Sequence, residues 1–122
     1  MLNKIFRTFL RKIFYKPMSI EALRGMQERS AKMMGGLPKN ISREVTEIKG
    51  IHAEWIAHEN ASAEKVVLYL HGGGYVSGFL PSYYLMCGTL SEVTGARVLL
   101  PNYSLAPESV FPAALEDALS VY

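Results

Sequence analysis

The sequence predicts an α/β fold in which two helices precede an antiparallel hairpin, which leads into parallel strands joined by a crossover helix. Three observations carry this expectation. Residues 65–70, Lys-Val-Val-Leu-Tyr-Leu, are continuously apolar after the lysine and rich in strand-favouring side chains, the pattern of a central parallel strand covered on both faces. They run straight into Gly72, Gly73 and Gly74. A helical stretch from Pro81 to about Thr94, ended by Gly95, then separates this strand from a second buried one at Ala96 to Leu100, so a right-handed strand-helix-strand crossover is expected.

The other elements follow from the same periodicities. Residues 2–14 place Leu2, Ile5, Phe6, Phe9, Leu10, Ile13 and Phe14 on one helical stripe, with Lys4, Arg7, Arg11 and Lys12 on the opposite face. Such a helix can pack its stripe on the protein as a lid over an apolar pocket, or lie on an anionic membrane surface. Pro17 ends it. Ser19, followed by Glu21 and Ala22, opens a second helix that runs to about Met34, before Gly35-Gly36 and Pro38. Met18, Met26, Met33 and Met34 supply flexible apolar side chains here, suited to an adaptable ligand surface and equally to a loosely packed core. Val45 and Ile48, then His52 to His58, read as two short strands around the turn Lys49-Gly50. After Pro107 and Pro112, an Ala- and Leu-rich helix starts at Ala113 and reaches Tyr122 with no stop signal, so the chain is expected to break off within an element. The expected domain division is residues 1–40 as N-terminal lid helices and 41–122 as the incomplete first part of a catalytic domain.

Composition narrows the function classes. With 49% hydrophobic and 20% charged residues the 122-residue chain has enough apolar content for one folded core, and disorder is not expected. The net charge of +2 conceals an asymmetry: five basic residues stand in the first sixteen with no acid, leaving 8 basic against 11 acidic groups in the rest. No basic cluster is interleaved with aromatics, which argues against a nucleic-acid partner. The single Cys87 cannot form an internal disulfide, and no apolar run approaches the roughly 18 residues of a membrane span. A charge interrupts the N-terminus every three or four residues, unlike a secretory signal. A cytoplasmic protein, or one peripheral to a membrane through residues 1–16, is expected. The three histidines and one cysteine lack ligand spacing, so neither metal nor organic cofactor is expected.

The glycine loop carries the chemistry. Glycines after a buried strand let the backbone turn sharply and bring its N–H groups against a reacting atom. In acyl transfer such donors stabilise the oxyanion of the tetrahedral intermediate, each worth about 3–4 kcal/mol. Phosphate binding is the competing use. Yet Ser77 stands where the dinucleotide pattern needs its third glycine, and no Gly-Lys-Ser or Gly-Lys-Thr is present for a P-loop. A purely structural tight turn is the remaining alternative for the loop taken alone.

Three motifs occur in order: His71-Gly72-Gly73-Gly74-Tyr75, then Pro101-Asn102-Tyr103-Ser104-Leu105-Ala106-Pro107-Glu108, then Phe111-Pro112-Ala113-Ala114-Leu115-Glu116-Asp117-Ala118-Leu119. Together they resemble the hormone-sensitive-lipase family of α/β-hydrolases, from about residue 40 to the end. The resemblance implies the N-terminal portion of an α/β-hydrolase fold and a parent carboxylic-ester hydrolase acting on small-molecule esters. It implies oxyanion donors at Gly73 and Gly74 and a loop braced by His71, Gly72 and Tyr75. Asn102 and Ser104 replace the aspartate and arginine usual in the second motif, which puts a charged brace in doubt. The resemblance also places the missing nucleophile strand beside residues 65–70, so this truncated chain is expected to leave that strand as an open edge.

None of the catalytic triad is expected within these residues. No Gly-x-Ser-x-Gly occurs, Ser77 lies one residue too far from Gly74, no histidine follows His71, and Asp117 falls in the family's structural third motif. An improvised Ser77–His71 pair would require one loop to supply nucleophile, base and oxyanion donors. The chain alone is therefore expected to be inactive, and an inactive fragment or interaction module is the alternative to the enzyme.

Overall fold

The computed structural model describes Lys4, residues 18–33 and residues 36–122. The helix expected over residues 2–14 lies outside the described residues apart from Lys4. The first described helix, α1 (Ile20–Met33), begins where Ser19 accepts the Ala22 N–H on its hydroxyl oxygen at 3.2 Å, replacing a bond that the first turn of a helix cannot make for itself.

Four strands form one mixed sheet in the order β1-β2-β4-β3. β1 (Ile41–Ile48) and β2 (Ile51–His58) pair antiparallel along their whole length, from Ile41 opposite His58 to Ile48 opposite Ile51. Lys49 and Gly50 join them with φ values of 50° and 82°, the two positive dihedrals whose twist suits a two-residue hairpin. β4 (Ala96–Pro101) lies antiparallel to β2 and parallel to β3 (Ser62–Leu68).

β3 departs from the expectation of a strand covered on both faces. It begins earlier and ends sooner than residues 65–70, and Glu64, Lys65 and Val66 are exposed. The physical reason is its position. Among the described residues β3 pairs only with β4, so its other edge is free and nothing covers its outer part. An inner-strand sequence thus occupies an edge, as the resemblance implied for this stretch of chain.

α2 (Pro81–Thr94) packs against β2 and β4. Its start and stop follow the sequence signals: Pro81 occupies the first turn, and Gly95 adopts a left-handed cap whose N–H returns to the Ser91 carbonyl. The core lies between this helix and the sheet, where Ile56, Cys87, Val98 and Leu100 are fully buried. Ser91 pins the layers: its hydroxyl accepts the His58 N–H at 2.9 Å and donates to the Ala96 carbonyl at 2.6 Å. Cys87 is buried, and burial pushes its thiol pKa up to about 11. α3 (Ala113–Val121) completes the described elements.

Candidate active site: a glycine loop with free amides

β3 delivers the chain to the loop of residues 71–78 at the carboxyl end of a parallel strand. Gly73, Gly74, Tyr75, Gly78 and Phe79 all have positive φ, a concentration of conformations that L-residues avoid. Two glycines are required by contact as well. A Cβ on Gly73 would stand 1.8 Å from the Ser77 carbonyl oxygen, and one on Gly78 would stand 2.0 Å from His71 Nδ1.

The polar groups of this loop divide by type. The carbonyls of residues 71–73, 75 and 76 are occupied. The Tyr103 hydroxyl donates to His71 O, and the Tyr83 hydroxyl to Gly72 O at 3.0 Å. Gly73 O accepts the Val76 and Ser77 N–H groups and the Ser77 hydroxyl at 3.1–3.2 Å. Tyr75 O accepts the Ala106 N–H at 2.7 Å, and Val76 O accepts Arg24 Nε–H at 2.7 Å. The N–H groups of Gly72, Gly73, Gly74 and Tyr75, by contrast, meet no protein acceptor among the described residues. Backbone donors in folded chains are nearly always paired with protein or water, so four consecutive free ones constitute a donor array open to a ligand. These residues line a cavity of about 580 Å³ together with Phe111, Pro112, Ala114, Leu115 and Ala118.

His71 is 2% exposed. Its ring stacks on Tyr103 at 4.2 Å between centroids and packs near Tyr83 and Phe79. Nδ1 lies 3.1 Å from Gly72 O, and since that oxygen only accepts, Nδ1 carries the proton. Burial lowers the imidazole pKa against the opposing effect of the Gly72 hydrogen bond, which keeps the ring neutral near pH 7. Ser77 is also buried and spends its hydroxyl on Gly73 O. The two side chains are thus directed at different carbonyls and do not form a nucleophile–base pair. Tyr75 is exposed.

The second motif runs past the loop and is held at its middle and at its end. Its substituted Ser104 donates its N–H to Asp117 Oδ2 of α3 at 2.7 Å. Glu108 is paired with Arg24 of α1, whose two terminal nitrogens reach its carboxylate at 2.6 and 2.9 Å. No arginine stands at position 104, but the motif does carry a charged pair, made by an arginine 84 residues away in sequence. Sequence reasoning missed Arg24, Tyr83 and Tyr103 as loop holders. On its own helix Arg24 stands between Glu21 and Glu28, spacings that read as ordinary solvent-facing charge. Among the described residues no group of three or more His, Cys, Asp or Glu could hold a metal, and no helix is long and apolar enough to cross a membrane.

Residues 67–122 match the family model described as alpha/beta hydrolase fold. The chain is 34% identical over 105 residues to an acetyl-hydrolase of Streptomyces hygroscopicus, covering 84% of this chain and 34% of that protein. It is 45% identical over 62 residues to an ethyl acetate hydrolase of Pseudomonas putida, covering 51% of this chain and 20% of that one. In three dimensions it superposes with a TM-score of 0.80, at 36% identity, on a crystal structure of an esterase from the bacterial hormone-sensitive lipase family, covering 93% of this chain and 38% of the other. The chain thus spans about a third of the length of the first relatives it matches. Three linked motifs, a mixed sheet with its glycine loop at the end of a parallel strand, and this likeness in sequence and shape agree: the chain belongs to the hormone-sensitive-lipase family of α/β-hydrolases, as a part of the full fold.

Proposed function

We propose that this chain supplies the oxyanion-binding loop of a carboxylic-ester hydrolase, with the N–H groups of Gly73 and Gly74 as the donors. The observation that carries the reading is the contrast between the occupied carbonyls of residues 71–73, 75 and 76 and the free amides of residues 72–75, in a segment that lines a largely apolar cavity. Such donors act where negative charge develops, and each contributes about 3–4 kcal/mol of transition-state stabilisation. His71, Gly72 and Tyr75 brace the loop, and the neutral buried imidazole adds no charge that would compete for the oxyanion. The relatives' names, acetyl-hydrolase and ethyl acetate hydrolase, support esters with short acyl groups as substrates. The reaction is acyl transfer to a serine and then to water. Its serine, acid and histidine are supplied by sequence other than these 122 residues, so the chain alone turns over no ester. We place the protein in the cytoplasm and assign residues 1–16 to a lid or a membrane-surface contact. Vesicle co-sedimentation with and without them decides between those two roles.

The test is an activated-ester assay of the 122-residue chain, such as p-nitrophenyl acetate, together with the coding sequence past codon 122. Background turnover and a continuation encoding Gly-x-Ser-x-Gly support the reading. Robust turnover abolished by Ser77→Ala, or a genuine stop at that codon, overturns it in favour of an improvised site or a non-catalytic relic.

A further inference from the structure

Among the described residues, the side-chain hydrogen bonds that tie α1 to the glycine loop and to the second motif are made by Arg24. Nε–H donates to Val76 O at 2.7 Å, one terminal nitrogen donates to Ala106 O at 2.9 Å, and both terminal nitrogens hold the Glu108 carboxylate. Val76 belongs to the glycine loop, while Ala106 and Glu108 belong to the second motif. These two segments are also joined directly, because the Ala106 N–H donates to Tyr75 O at 2.7 Å. The guanidinium therefore closes a ring of hydrogen bonds around residues 75, 76 and 106. Only a planar, multi-donor group can satisfy two carbonyls and a carboxylate at once, and an ammonium on a flexible stem cannot.

The ring encloses the costly part of the loop. Tyr75 has a φ of 60°, and Gly73 and Gly74 beside it are also at positive φ. Backbone of this kind persists only where its surroundings over-determine it. Inside the sheet domain the Tyr83, Tyr103 and Ser77 hydroxyls hold the first three carbonyls of the loop. The far end, at Val76, is held from α1.

We propose that Arg24 is a positioning residue for the free N–H groups of Gly73 and Gly74, so that α1 and the glycine loop form one unit and displacing the helix releases the donors. The proposal rests on reading the loop as an oxyanion site. Arg24 acts through the loop and touches no substrate.

The test uses ¹H–¹⁵N NMR of the 122-residue chain. In Arg24→Ala, amide exchange at Val76, Ser77 and Ala106 should rise at least tenfold, and the heteronuclear NOEs of Gly73 and Gly74 should fall to flexible-loop values, with β1 and β2 signals unmoved. Arg24→Lys, which keeps a charge opposite Glu108 but loses the fork, should give the same loop signature. Glu108→Gln, which leaves both carbonyl bonds, should change it far less. Unchanged loop exchange and NOEs in either Arg24 variant with the sheet intact would overturn the proposal, as would sheet signals perturbed as strongly as the loop. Should Arg24→Ala not fold, Arg24→Lys is read by the same criteria. No readout here requires ester turnover, so a loop held by Arg24 in a chain whose coding sequence stops at codon 122 would sink the functional reading and leave this inference standing.

Discussion

Two arginine–glutamate pairs in this chain share the same fork-on-carboxylate chemistry and serve opposite ends. Arg43 grips Glu54, whose side chain is 1% exposed, from the neighbouring strand of the hairpin and only 11 residues away. The Tyr84 hydroxyl donates to the same carboxylate, and His52 stands 3.5 Å from it. Arg24 grips Glu108, whose side chain is 62% exposed, across 84 residues. A carboxylate taken out of water must be paired or the fold loses several kcal/mol, whereas an exposed pair contributes little to stability and is kept for the geometry it imposes. The buried pair belongs to the sheet; the exposed pair belongs to the loop.

The largest expected effect tests the buried side of this contrast. Arg43→Ala leaves Glu54 charged and buried without its main partner and should cost about 3–5 kcal/mol in urea unfolding. Arg24→Ala should leave the unfolding midpoint nearly unchanged. Equal losses from the two would break the comparison. Next comes Gly73→Ala, whose Cβ meets the Ser77 carbonyl and whose φ of 139° excludes an L-residue. It should cost about 1–3 kcal/mol by strain and disturb the loop ahead of the sheet, read from amide shifts.

The third expected effect concerns pH. Burial raises the Glu54 carboxyl pKa, but hydrogen bonding and charge from Arg43, with help from Tyr84 and His52, outweigh it and the net shift is downward. Arg24 holds Glu108 down to about 2 from an ordinary value of 4.5. For a lowered carboxylate the stabilising contribution is complete above the unfolded value and disappears as pH falls through the folded one. Both pairs should thus outlast the ordinary carboxylate range, with the Glu108 carboxyl ¹³C signal titrating near 2. Arg24→Ala should return that midpoint toward 4.5. The smallest effect belongs to His71, buried neutral. Its lowered pKa makes stability fall as pH drops below its ordinary 6.5, and His71→Asn should flatten the unfolding free energy just below that pH.

The legible parts of the fold were those written by local rules. Pro81 and Gly95 bound α2 because a missing N–H suits a first turn and a missing Cβ suits a left-handed cap. Lys49-Gly50 marked the hairpin for the same kind of reason. The apolar run after Lys65 announced a buried strand, yet β3 is half exposed, because periodicity reports what a strand is suited to and not which neighbours are present. Of the loop, the glycines were visible and their holders were not. Tyr103 and Arg24 reach His71 O and Val76 O from 32 and 52 residues away, and neither the motif around Tyr103 nor the helix around Arg24 says which carbonyl it meets.

By itself the sequence determined the element order, the position of the glycine loop at the end of a parallel strand, and membership of an esterase family, since each depends on residues adjacent in the chain or on motifs in fixed order. Only the tertiary structure decided which polar groups of the loop are spent. Carbonyls and amides are present in every peptide unit, and whether one is free depends on donors that folding brings from distant helices. That division, with carbonyls tied down by Tyr83, Tyr103, Ser77 and Arg24 and amides left open, is the physical content of the site.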